Sequence, residues 1–174
     1  MRGHGLPSHS GRHSNFPKKG QSCEDGYYRI ELSEGGEVAA RSVIAAIGAR
    51  YRRLEVSGLG RFEGVSVHYA ATQAEALRCE GEEAAVVGGG NSAGQAAVFL
   101  AERTRRVYLL IRDDDLGKSM SSYLVDRITE AENIELLANT EVRELMGEDR
   151  LGGVVVEDKR SGARRTLGTR ALWR

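Results

Sequence analysis

Between residues 83 and 138 the chain alternates short apolar runs with longer stretches whose apolar residues recur every three or four positions. The runs EAAVV (83–87), RVYLLI (106–111) and NIELLA (133–138) are too short for helices. They are also too continuously apolar for half-exposed strands, so they predict strands covered on both faces. Between them, 92–103 sets Ala93, Ala96, Ala97 and Leu100 at helical spacing. Residues 121–132 set Leu124 and Ile128 on one face, with Asp126 and Glu130 in the polar register. This β-α-β-α-β order predicts a parallel sheet with right-handed crossovers.

The flanks follow other periods. YYRIEL, then EGG, then EVAARSVIAAIGA predict a hairpin feeding a buried strand over Val43, Ile44, Ala45, Ala46 and Ile47 that ends on Gly48. Residues 50–64 are polar and glycine-punctuated, which predicts an irregular connector, and a helical turn is expected at TQAEALR (72–78). After 138, GEDRLGG and KRSGARR punctuate alternating runs, as in an antiparallel meander. The chain stops at Trp173-Arg174 inside a predicted strand. Edges at VIAAIGA and TRALWR would then be open to aggregation. Residues 1–22 hold His4, His9, His13, both prolines and Arg2, Arg12, Lys18 and Lys19, with few apolar side chains to offset ordering entropy. They predict a flexible leader, and the histidine spacing matches no zinc pattern.

Composition narrows the classes. The 174 residues hold one ordinary domain or two small ones, and 25 basic residues balance 25 acidic ones. Bulk charge therefore calls for neither a nucleic acid nor a membrane partner. No apolar run approaches the roughly 18 residues of a membrane helix, and the first residues lack the apolar core of a secretory signal. Cys23 and Cys79 stand far apart and predict isolated thiols in a reducing compartment. A cytoplasmic protein is expected.

The stretch VVGGGNSAGQAA (86–97) carries the chemistry. Gly88-x-Gly90-x-x-Ala93 directly follows a predicted strand and opens a predicted helix, the context in which such a spacing binds a dinucleotide. Gly88 permits the tight turn, Gly90 lets the backbone approach a pyrophosphate, and Ala93 keeps the helix close to the strand. The helix start offers unpaired N–H groups to an anion, and no carboxylate occurs from Gly88 to Leu100 to oppose it. A glycine turn serving packing alone is the bland alternative. The choice of nucleotide falls to the end of the next strand, Ile111-Arg112-Asp113. Ile111 offers no carboxylate to the ribose, whereas Arg112 can pair with a 2′-phosphate, which favours NADP over NAD. Asp113, Asp114 and Asp115 leave a second reading open, in which one of them reaches the ribose hydroxyls.

On these residues the chain resembles the low-molecular-weight thioredoxin reductase family of flavin-dependent pyridine-nucleotide oxidoreductases. VIAAIGA (43–49) is similar to the strand that closes that family's flavin domain, and 86–112 is similar to its nicotinamide domain down to Gly-Gly-Gly-Asn-Ser-Ala. SMSSYLVDRI (119–128) further resembles a subgroup without the usual active-site cysteines, sometimes found behind a cyclic-nucleotide-binding domain. The resemblance implies that Gly88, Gly89, Gly90, Asn91, Ser92 and Ala93 cradle the NADPH pyrophosphate. It places Arg112, with Lys118, at the 2′-phosphate, and Gly48 and Ala49 near FAD. It also implies a homodimer.

The departures are equally specific. Where the family has its redox Cys-x-x-Cys, residues 67–79 offer only Cys79, and disulfide exchange needs a second sulfur. The flavin fingerprint is missing as well: GHGLPS (3–8) follows no strand and has Pro7 where a helix would open. The expected fold class is α/β, a Rossmann-like NAD(P)-binding domain of three ββα layers (parallel sheet plus antiparallel meander) with a partial FAD-domain segment. The expected division is 1–22 leader, 23–68 flavin-domain segment and 69–174 nucleotide domain, C-terminally truncated. No catalytic residue and no metal ligand is assigned. Three functions compete: an NADPH:FAD oxidoreductase with an unidentified acceptor, expected as a fragment; a non-catalytic NADP(H)-binding module; and an inactive remnant.

Overall fold

The structure is a computed structural model that describes residues 23–24, 26–32, 34–44, 46, 48 and 53–174. The leader expected over 1–22 lies outside the described residues, as do Ala45, Ile47 and Ala49. The chain divides into two compact units between residues 50 and 51.

The first unit carries an antiparallel meander of β1 (Cys23–Glu24), β2 (Tyr27–Glu31) and β3 (Glu37–Ala40). The expected hairpin is β2–β3, in register from Tyr28 opposite Ala40 to Glu31 opposite Glu37. Gly35 and Gly36 turn it with φ of 87° and 103°, a region open to glycine. Leu32 closes the turn, donating to the Gly36 carbonyl and accepting from the Gly35 N–H, both at 3.0 Å. The buried strand expected at 43–47 does not form among its described residues. Val43 is 42% exposed and Ile44 93% exposed, and neither belongs to a strand. A strand buried on both faces needs paired neighbours and two covering layers, and the described residues of this unit provide a single short meander.

The second unit is a three-layer ββα sandwich, as expected. Its middle layer is a fully parallel sheet in the order β4-β11-β5-β6-β7. These strands are β4 (Val67–His68), β5 (Glu83–Val87), β6 (Arg106–Leu110), β7 (Ile134–Leu137) and β11 (Ala171–Trp173). Alternate side chains enter opposite cores. Ala84, Val86, Val107, Leu109, Ala171 and Trp173 meet Ala97, Leu100, Leu124 and Ile128 on the helical side. Those residues come from α3 (Asn91–Ala101) and α4 (Ser122–Glu130). Ala85, Tyr108, Leu110 and Leu172 face the other way, onto the antiparallel layer of β8 (Thr140–Gly147), β9 (Leu151–Asp158) and β10 (Arg164–Leu167). Both faces being covered is what made the strands read as unbroken apolar runs.

Two placements differ from the sequence expectation. The connector contains a helical turn, α1 (Leu59–Phe62), which buries Phe62 completely beside Leu54 and Leu59 in the antiparallel-side core. Residues 53–68, expected with the flavin-domain segment, therefore pack within the second unit. The strand of TRALWR does not continue the meander as an edge. The chain leaves β10 and enters the parallel sheet between β4 and β5, pairing Leu172 with Val67 on one side and Ala85 on the other. Thr169 Oγ1 anchors the entry on the Glu83 carbonyl at 3.0 Å. Three residues are too few for periodicity to show which neighbour they join. The turn expected near residue 75 is α2 (Gln73–Leu77). Thr72 and Glu75 form a capping box at its start.

Because β11 is interior, Leu172→Ala is expected to lower the unfolding free energy by about 2–5 kcal/mol, the range for a fully buried leucine. Urea titration followed by circular dichroism checks it, and a loss of only a few tenths would contradict the interior placement.

Candidate functional site

The loop after β5 is shaped by its glycines. Gly88 has φ 147°, and a Cβ there would stand 3.0 Å from the Ala93 Cβ, so strand and helix approach closely only because both residues are small. Its N–H donates to the Leu110 carbonyl at 3.0 Å, which keeps the loop on the sheet for one more residue. A Cβ on Gly89 would meet Ile111 at 3.7 Å, so the end of β6 lies beside the loop. Gly90 is the N-cap of α3, in extended conformation, and the nearest atom to a Cβ there would be the Ser119 carbonyl oxygen at 4.0 Å.

That open space adjoins free donors. The first backbone bond of α3 runs from the Gly94 N–H to the Gly90 carbonyl at 3.1 Å, and no side chain caps the helix. The N–H groups of Asn91, Ser92 and Ala93 precede that bond, and no acidic residue stands in the first turn. Unpaired N–H groups and the helix dipole together favour an anion here. A cleft of about 380 Å³ adjoins the first turn of α3 at Ser92 and Ala93. It is walled by Ser92, Ala93 and Gln95 of α3, by Tyr69, and by Trp173 and Arg174 at the end of β11. It lies at the carboxyl ends of β4, β11 and β5, where α/β sheets hold their ligands. The Trp173 indole N–H in its wall is buried without a hydrogen-bond partner.

The candidate residues fall into three groups. Gly88, Gly89, Gly90, Ser92 and Ala93 assemble around the helix start. Asn91 is there too, but its side chain turns away: Oδ1 accepts from the Ser121 N–H at 2.8 Å and from the Ser121 hydroxyl at 3.1 Å. At the end of β6, Arg112 is exposed and makes no ion pair or hydrogen bond among the described residues. The Lys118 ammonium is held by Asp114 at 2.6 Å, and Asp114 also faces Arg160 at 3.6 Å. Lys118 holds the Asp114 carboxyl below its usual range, and the hydrogen bond raises Lys118 in return. Asp115 accepts from the Gly117 N–H at 2.9 Å, capping the 3-10 turn Leu116–Lys118. Two of the three aspartates thus already have structural partners.

Of the two flavin-side residues only Gly48 lies among the described residues, exposed and with φ 70°. Ala49 lies outside them.

Cys79 is a core residue. It is 3% exposed, and its thiol donates weakly to the Glu75 carbonyl. Burial, helped by Glu82, pushes its pKa up against the opposing pull of Arg78. It lines a larger cavity, about 740 Å³, with Ser66, His68 and Arg78, but at the opposite end of the parallel sheet from Gly88. Burial likewise lowers His68 and outweighs Glu75, so neither group is poised to activate the other. Among the described residues no cluster could hold a metal ion, and no helix is long and apolar enough to cross a membrane.

Three residues at this site went unread in the sequence: Gly94, Ser119 and Ser121. A Cβ on Gly94 would stand 2.7 Å from Met120 Sδ, so the Met120 side chain occupies the space a side chain at 94 would take. A glycine inside a helical pattern was the available signal. The serines lie in SMSSYLVDRI, which showed only a family resemblance; about thirty residues separate them from their partners, so no local period joins the two.

The family described as pyridine nucleotide-disulphide oxidoreductase matches residues 13–168. The chain is 32% identical over 130 residues to an NADH dehydrogenase of Ferdinandcohnia aciditolerans, covering 75% of this chain and 24% of that protein. It is 32% identical over 141 residues to a thioredoxin reductase of Mycoplasmopsis pulmonis, covering 78% and 43%. The solved thioredoxin reductase from Giardia duodenalis superposes with a TM-score of 0.75 at 26% identity, over 88% of this chain and 50% of that one. The chain thus spans half or less of these relatives' lengths.

With its thiol buried and its pKa raised, Cys79 is expected to react with iodoacetamide at pH 8 at least tenfold more slowly than in urea-unfolded protein. Peptide mass spectrometry reads the rate. Equal rates would contradict the buried placement.

Proposed function

Since the chain belongs to the pyridine nucleotide-disulphide oxidoreductase family, whose members are flavin-dependent and use NAD(P)H, we propose that its second unit binds NADPH for a thioredoxin-reductase-like flavin oxidoreductase. One observation carries the reading. Three N–H groups at the start of α3 have no capping side chain, and they border open space beside Gly90. A diphosphate is the group in that nucleotide which such donors hold. Gly88 and Ala93 set the spacing of the helix against β5, and the cleft toward Trp173 and Arg174 supports an extended ligand continuing past the loop.

The preference for NADPH over NADH rests on Arg112, the guanidinium at the end of β6 without a carboxylate partner among the described residues. A planar fork of donors suits a phosphate dianion. Lys118, already paired with Asp114, contributes at most a weak long-range attraction. The reaction proposed for the whole protein is oxidation of NADPH with electrons passed through FAD to an acceptor other than a dithiol of this chain. The share of that activity assigned to the second unit is to bind and orient the nucleotide. The two cysteines, Cys23 and Cys79, stand far apart in the sequence, which supports a reducing compartment such as the cytoplasm.

Calorimetric titration tests the nucleotide reading. One NADPH site is expected. Arg112→Ala should weaken NADPH roughly tenfold, as for loss of a charge-assisted bond, with little effect on NADH. Gly90→Val should abolish binding of both. No heat from either nucleotide would remove the assignment. Dye reduction by NADPH with added FAD separates the enzyme from the binding module.

A further inference from the structure

Three consecutive residues outside the glycine loop grip it from behind. The Ser119 hydroxyl donates to the Gly89 carbonyl at 3.1 Å. Met120 fills the place that a side chain at 94 would take, its Sδ 2.7 Å from where a Cβ would stand. Ser121 donates its N–H and its hydroxyl to Asn91 Oδ1 at 2.8 and 3.1 Å. These are contacts between parts of the chain about thirty residues apart, and each engages a different point of the loop or of the first turn of α3.

The Ser119 contact has a directional consequence. A trans peptide sets its C=O and N–H on opposite sides, so holding the Gly89 carbonyl also aims the Gly90 N–H. That peptide lies between two glycines, the residue type for which rotating a peptide plane costs least. Left free, the unit could turn its oxygen, and with it a negative dipole, toward an incoming phosphate. Ser119 ties the oxygen back. Asn91 acts similarly on the helix start. An asparagine at a helix start readily bonds nearby backbone amides itself. Committing its oxygen to Ser121 leaves the amides of α3 free for a ligand.

We propose that Ser119 and Asn91 are positioning residues for the nucleotide. Ser119 locks the Gly89–Gly90 peptide with its N–H toward the diphosphate, and Asn91 holds the first turn of α3 uncapped. Neither side chain touches the nucleotide. This rests on the nucleotide reading above and adds that the loop's donor geometry is imposed by the segment 119–121. Because the diphosphate is common to NADPH and NADH, the two residues govern affinity for both and leave the choice between them to Arg112.

The test uses the full chain and the variants Ser119→Ala, Ser119→Thr and Asn91→Ala, with dissociation constants for NADPH and NADH from calorimetry and melting of the nucleotide-free protein. Ser119→Ala is expected to weaken NADPH and NADH by the same factor, roughly fivefold for one neutral hydrogen bond, and Asn91→Ala, which removes two, to weaken both equally and by at least as much. Melting should stay within about 2 °C of the parent, since Ser119 is exposed and each change removes only surface polar contacts. Ser119→Thr keeps the hydroxyl and should restore binding. The proposal is overturned if Ser119→Ala binds like the parent, if the two nucleotides weaken unequally, or if Ser119→Thr fails to restore affinity. Should the parent chain bind neither nucleotide, this proposal falls together with the nucleotide reading. Should the parent bind and Ser119→Ala match it, this proposal alone falls.

Discussion

The first turn of α3 presents amide N–H groups that nothing in the described chain accepts, and the rest of the second unit is arranged around keeping them that way. A helix start usually recruits a serine, threonine, aspartate or asparagine to satisfy such groups. Here the N-cap is Gly90, which has no side chain, and the asparagine one residue on is committed to Ser121. Unmet donors are tolerable where water or an anion can reach them, and the open space beside Gly90 provides that access. The strand–helix junction stays tight because Gly88 and Ala93 leave no bulk between them.

Rigidity behind the loop comes from a sheet buried on both faces. β5, which delivers the glycines, pairs with β6 on one side and β11 on the other. Its Ala84 and Val86 enter the helical core while Ala85 enters the core shared with β8 and β9. A strand held by two neighbours and two layers is among the last parts of a domain to move, so the loop it ends in inherits a fixed origin. The final strand is therefore part of the site's foundation, and Trp173 and Arg174 at its end also wall the cleft.

Charge is distributed to the same end. Most arginines of the second unit face a carboxylate: Arg106 and Arg165 converge on Glu135, and Arg143 and Arg164 on Glu157. Such exposed pairs contribute little stability individually. Arg112 is among the arginines outside such pairs, and what sets it apart is its position: it follows directly on Ile111, which lies beside the glycine loop. Asp114 and Asp115 nearby are drawn into contacts with Lys118, Arg160 and the Gly117 amide.

The sequence by itself determined the α/β class, the order and approximate bounds of β5 through β7 with their helices, the hairpin at 27–40, and Gly88, Gly90 and Ala93 as the close turn from β5 into α3. These features depend on local periodicity and on the absence of side chains, both legible one residue after another. Tertiary structure alone decided that the strand of TRALWR lies inside the sheet, that Phe62 in a polar-looking connector is wholly buried, and that the apolar run at Val43 and Ile44 is exposed. It also decided that Asn91 points at Ser121 instead of at the loop's open side. Each of these turns on whether a partner distant in sequence is met. Hydrophobicity shows that a residue is fit to be buried and an amide shows that it is fit to bond, but neither carries the identity of the surface it will meet.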